Sequence, residues 1–90
     1  MIKRTDIGMR IRKCRECHKY TREQLAELAD ISPVFLQAVE HGKKGISINT
    51  LAMLATALQV STDYILFGFN ENIYKDKLSL KNVESIPKFV

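Results

Sequence analysis

Ninety residues allow one domain with one modest core, and 46% apolar with 27% charged residues excludes a chain too polar to collapse. The net charge of +4 is unevenly held: Lys3 to Arg22 carries eight lysines and arginines against Asp6 and Glu16. Such a positive end attracts polyanions, and taken alone it fits a solvated helix face equally well.

Asp6 to His18 reads as a first helix, with Ile7, Ile11 and Cys14 on one side and arginines on the others. A second helix opens at Thr21, an N-cap type, with Gln24 three residues on to return the capping bond. A third opens at Ser32-Pro33. Proline suits the first helical position because its missing N–H would have no intrahelical partner there and its ring already holds a helical φ. The core set expected of this pair is Leu25, Ala26, Leu28 or Ala29, Ile31, Leu36 and Val39, with Ala26 small enough to let the two helices cross at close range. Asp30 stands where the turn needs a residue tolerant of positive φ.

Gly42-Lys43-Lys44-Gly45 ends the third helix in a basic loop. Ser47 then caps a fourth helix whose apolar stripe is Ile48, Leu51, Leu54, Ala55 and Leu58, and Ser61 with Asp63 starts a short fifth that carries Tyr64, Ile65 and Phe67 and stops at Gly68. No segment sustains the alternation of a strand. The expectation is an all-α, compact five-helix domain over residues 1–68. Residues 69–90 form a C-terminal extension richer in Asn, Lys and Ser, with no clean period and enough apolar residues to dock on its own domain or on a partner.

Two short capped helices joined by a tight turn, Thr21 to Gly42, are the pattern of a helix-turn-helix that reads DNA. One local motif competes. Cys14-Arg-Glu-Cys17-His18 matches a c-type haem attachment signature. Haem attachment belongs to an oxidising compartment, and Met1-Ile2-Lys3-Arg4 runs into a charged stretch, not the apolar core of an export signal. Cys14 is also needed on the apolar face. Zinc would require His41 to join Cys14, Cys17 and His18. We therefore expect no cofactor and no metal. Enzyme readings lack a phosphate-cradling glycine loop, paired carboxylates and a histidine with a nucleophile partner. The apolar run Tyr64 to Phe69 is too short to span a bilayer, so no membrane role and a cytoplasmic location are expected.

The order and spacing of Arg10-Ile-Arg with Arg15, Thr21 with Gln24-Leu25-Ala26, Ile31-Ser32, Leu36 with Val39-Glu40 and Gly42, and Leu51 to Ile65 carry more than any one piece. Through them Asp6 to Gly68, about two thirds of the chain, resembles the Cro and phage-repressor type of helix-turn-helix domain, also called the XRE family. The resemblance implies a lambda-repressor-like fold, a structural ion pair between Arg15 and Glu40, and a recognition helix in the major groove of double-stranded DNA. Carried over position by position, it implies base contacts from Pro33, Val34, Gln37 and Ala38, and phosphate contacts from Thr21, Arg22, Ser32, His41, Lys43 and Lys44. Phe35 beside them reads as a partial core residue.

Two departures stand out. Arg22 occupies a position where the family often has glutamine, and an arginine there suits phosphate. Val34 and Ala38 can only touch thymine methyls or fill space, which leaves Gln37 as the one side chain of the set able to bind adenine bidentately. Shape readout, or Lys3-Arg4 acting as a basic arm on the backbone or minor groove, would supply the rest.

The resulting expectation is a sequence-specific transcriptional regulator, a repressor that binds a two-fold operator as a homodimer through Tyr64, Phe67, Phe69, Ile73 and Tyr74. The alternative is an antitoxin-like interaction module whose C-terminal tail holds a protein partner while the helical domain autoregulates.

Overall fold

A computed structural model describes residues 1–68, and these contain five α-helices. They are α1 (Arg4–Cys17), α2 (Arg22–Ala29), α3 (Pro33–Glu40), α4 (Ile48–Leu58) and α5 (Thr62–Phe67). Residues 69–90, with Phe69, Ile73 and Tyr74 and the tail-borne alternative function, lie outside the described residues.

Four of the five starts are written in side-chain hydroxyls. The Thr21, Ser32, Ser47 and Ser61 oxygens accept from the N–H groups of Gln24, Phe35, Thr50 and Tyr64, each at 3.0 Å. At α2 the capping box is complete, because the Thr21 N–H donates to Gln24 Oε1 at 2.8 Å. The fifth start departs from expectation. Helix α1 begins at Arg4, two residues before Asp6, from an N-cap Lys3 with no side-chain capping bond. It ends at Cys17, with His18 as C-cap.

Left-handed residues close the turns. Asp30 has φ 58° and ends α2, while its N–H donates back to Glu27 O. Gly42, at φ 75°, follows the α3 C-cap His41, and Gly68, at φ 76°, ends α5. Lys19 and Gln59 adopt the same conformation with nothing in their residue type to announce it.

The largest fully buried side chains are Ile11, Leu25, Leu36, Val39, Leu54, Leu58 and Ile65, drawn from all five helices. Each contributes about 1.5–3 kcal/mol by leaving water. Helix α1 packs on α3 and α5, and α2 packs on α3 and α4, so the recognition-type pair is held from behind by the rest of the domain. Of the two alternatives in α2 the structure takes Ala29, 2% exposed, and leaves Leu28 48% exposed. Ile48 corrects the expected stripe of α4. It is the first residue of the helix and 84% exposed, because the stripe turns inward only from Leu51 onward.

Two close approaches position α1. A Cβ added to Gly8 would fall onto the carbonyl oxygen of Val39 and within 2.6 Å of that of Glu40, so α1 crosses the end of α3 backbone to backbone. Arg10 Nη1 donates to the carbonyls of Ile65 and Leu66, both at 3.1 Å, which satisfies the exposed end of α5.

Candidate nucleic-acid interface

Helix α3 has one buried side and one open side. Leu36, Val39 and Glu40 face inward, while Pro33, Val34 and Gln37 are exposed, Val34 at 77%. Ala38 is half-buried, and Phe35 is half-buried against the core. The outer side of α3 is thus free to meet a ligand the size of a groove. Pro33, Val34 and Gln37 also line a shallow open cleft with Arg15, Thr21, Arg22 and Glu23, which joins the start of α2 to the start of α3.

An acid sits behind this face. Glu40 is 5% exposed, and Arg15 reaches it from α1 by two bonds, Nε to Oε2 at 2.7 Å and Nη2 to Oε1 at 3.2 Å. The fork geometry suits a carboxylate. Arg15 Nη1 also donates to Tyr20 O at 3.0 Å, so one guanidinium ties α1, the α1–α2 turn and α3 together. Arg22 adds a third strut that the residue types alone do not announce. Its Nε donates to Glu40 Oε1 at 3.0 Å, with 32% of its side chain still exposed. The position expected to serve phosphate therefore also braces α3.

The other phosphate candidates divide between the two ends of α3. Thr21 and Ser32 are exposed near its start, with their oxygens accepting the capping bonds and their hydroxyl protons left to donate. His41, Lys43 and Lys44 are exposed at its far end. All three ion pairs of the described residues lie elsewhere, in Arg12 with Glu16 and in Arg15 and Arg22 with Glu40.

The residues of the competing Cys-x-x-Cys-His motif have other uses. His18 Nε2 lies 2.6 Å from Leu58 O, to which it must donate, and its ring stacks on Tyr20 with centroids 5.3 Å apart. Cys17 is an exposed thiol. Cys14 is half-buried and meets the Tyr64 hydroxyl, whose pKa is raised above its ordinary value chiefly by burial and further by that thiol. Tyr64 is accordingly turned partly inward, whereas Phe67 is 49% exposed. Among the described residues no group of three or more His, Cys, Asp or Glu is placed to hold a metal ion, and no helix is long and apolar enough to cross a membrane.

The HTH_3 helix-turn-helix family model matches residues 11–65, from the middle of α1 to α5. The chain belongs to this family. HTH_3 proteins are DNA-binding transcriptional regulators, and the five-helix, phage-repressor-like domain described above is their fold. The domain is 31% identical over 72 residues to YonR, an SPbeta prophage-derived HTH-type transcriptional regulator of Bacillus subtilis strain 168, a match covering 80% of this chain and 67% of YonR. It is 35% identical over 65 residues to the HTH-type regulator RP497 of Rickettsia prowazekii strain Madrid E, covering 72% of this chain. The match spans only half of RP497's length. Among solved structures it is similar to the P22 c2 repressor in complex with a synthetic operator, with 32% identity and a TM-score of 0.68 over 70% of this chain and 96% of that one.

Proposed function

We propose that this helix-turn-helix protein is a sequence-specific repressor that binds a two-fold operator as a homodimer, in the cytoplasm where the genome is read. The observation that carries the reading is the two-sidedness of α3: a carboxylate buried behind it and braced by two arginines, and Pro33, Val34 and Gln37 open in front. A helix held this firmly presents base-reading side chains with little loss of order on binding. Pro33, Val34, Gln37 and Ala38 are the proposed base-facing residues, and Gln37 reads adenine. Thr21, Arg22 and Ser32 at one end and His41, Lys43 and Lys44 at the other hold phosphates, which position the helix without reading sequence.

Symmetry follows from economy of contact. One domain offers few base contacts, so two copies reading half-sites about 34 Å apart supply the missing specificity. The half-exposed Phe67, with Tyr64 beside it on α5, supports a contact between copies at this helix.

Selection of binding sites from a pool of random duplexes tests the proposal. The expected product is a two-fold sequence bound with steep salt dependence. Selection that recovers no preferred sequence, or binding insensitive to salt, overturns it.

A further inference from the structure

The α3–α4 loop and the start of α1 meet at two glycines. A Cβ added to Gly42 would lie 2.7 Å from Thr5 Cγ2 and 2.8 Å from Thr5 Cα, so the first turn of α1 rests on the backbone just past α3. A Cβ added to Gly45 would lie 3.2 Å from Arg4 Nε and 3.3 Å from Arg4 Nη2. Arg4 is therefore not part of a loose N-terminal arm. It is the first residue of α1, and its guanidinium lies over Gly45, which follows Lys43 and Lys44 in the α3–α4 loop. Among the described residues Arg4, Lys43 and Lys44 form no ion pair, and all three are exposed. Asp6, the acid in the first turn of α1, takes none of them.

We propose that Arg4, seated on Gly45, joins Lys43 and Lys44 in a phosphate clamp at the far end of the recognition helix, opposite the Thr21 and Arg22 contact at its near end. The inference rests on the DNA-binding reading above and adds to it a residue from outside the helix-turn-helix. Eight residues at 1.5 Å each make α3 about 12 Å long. The major groove is also about 12 Å wide between its phosphate strands. Cationic groups at both ends of α3 thus give each strand its own anchor. The planar fork of Arg4 suits a phosphate, and its place over Gly45 puts it at the loop that carries Lys43 and Lys44. A phosphate contact from a seated arginine carries no sequence information, in contrast to an arm inserted in the minor groove.

The test uses the full chain with two duplexes of equal length: one recovered by random-pool selection and one with its sequence scrambled. Arg4→Ala is expected to weaken both by about the same factor, roughly tenfold at 0.1 M salt, and to lower the salt slope by about one. Gly45 is not at positive φ, so Gly45→Ala disturbs the seat and not the backbone. It is expected to reproduce part of the loss, and the double variant to be no weaker than Arg4→Ala, the non-additivity of two changes acting on one contact. Unchanged melting temperatures for both single variants accompany that result. Arg4→Ala binding both duplexes like the unsubstituted chain overturns the clamp, as does a change in selected flanking bases with scrambled-duplex affinity intact, the mark of minor-groove reading. Failure of the unsubstituted chain to bind any duplex in a salt-dependent way sinks the DNA reading itself, and is distinguishable because it precedes any substitution.

Discussion

Arg15 and Glu40 lie 25 positions apart in sequence and meet through two hydrogen bonds, with the Glu40 side chain fully screened from water. The pair couples α1 to α3, the helix proposed to face DNA. Its worth lies in what happens when it is broken, since a buried ion pair contributes little net stability but an orphaned buried charge is costly. Here two arginines depend on a single carboxylate.

Glu40→Ala is therefore expected to cost about 3 kcal/mol or more of unfolding free energy, read from urea denaturation. Glu27→Ala, at an exposed position of α2 with no ion pair among the described residues, should stay within about 0.5 kcal/mol of the parent. Equal midpoints for the two variants would refute the structural role of the pair.

Gly8→Ala sets two effects against each other. Alanine is the better helix former by about 1 kcal/mol. Its methyl would strike the carbonyls of Val39 and Glu40, which are backbone and cannot swing aside. The collision should win, with a loss of about 2–3 kcal/mol and weaker DNA binding as α3 is pushed outward. A variant more stable than the parent would show that α1 and α3 do not approach this closely.

Gln37→Ala and Arg22→Ala separate reading from holding. Loss of Gln37 should relax selectivity at one base position of the selected site, by about 1–3 kcal/mol of discrimination, and leave affinity for scrambled duplex unchanged. Loss of Arg22 should weaken binding to every sequence and reduce the salt slope by about one. Because Arg22 also bonds Glu40, a modest fall in melting temperature should accompany it. Competitive titrations over a range of salt concentrations distinguish the two patterns.

Phe67→Glu probes the proposed contact between copies. Placing a charge on the half-exposed end of α5 should shift sedimentation toward the monomer and weaken operator binding more than half-site binding. Sedimentation identical to that of the parent would move the interface elsewhere.

How much of this was legible in the chain itself follows the range of the interactions. The starts of α2 to α5 could be read because each depends on a hydroxyl and an N–H three residues apart, while the ring of Pro33 sets its own φ and Asp30 is a residue type that tolerates positive φ. The inward stripe Leu25, Ala26, Leu36, Val39, Leu54 and Leu58 was legible for the same reason, since helical period is a local property. Ile48 misled because the period says which side a residue is on, and not whether the packed neighbour extends far enough to cover it. The Arg15–Glu40 pair was expected only through the family resemblance. Nothing near Arg22 signals that it shares that carboxylate, and nothing near Arg4 or Gly8 signals a glycine seat or a crossing with Val39. Sequence by itself determined where helices begin, where they stop and which face is apolar. Tertiary structure alone decided which charges meet and which backbones touch, because those contacts join residues whose separation along the chain carries no periodic trace.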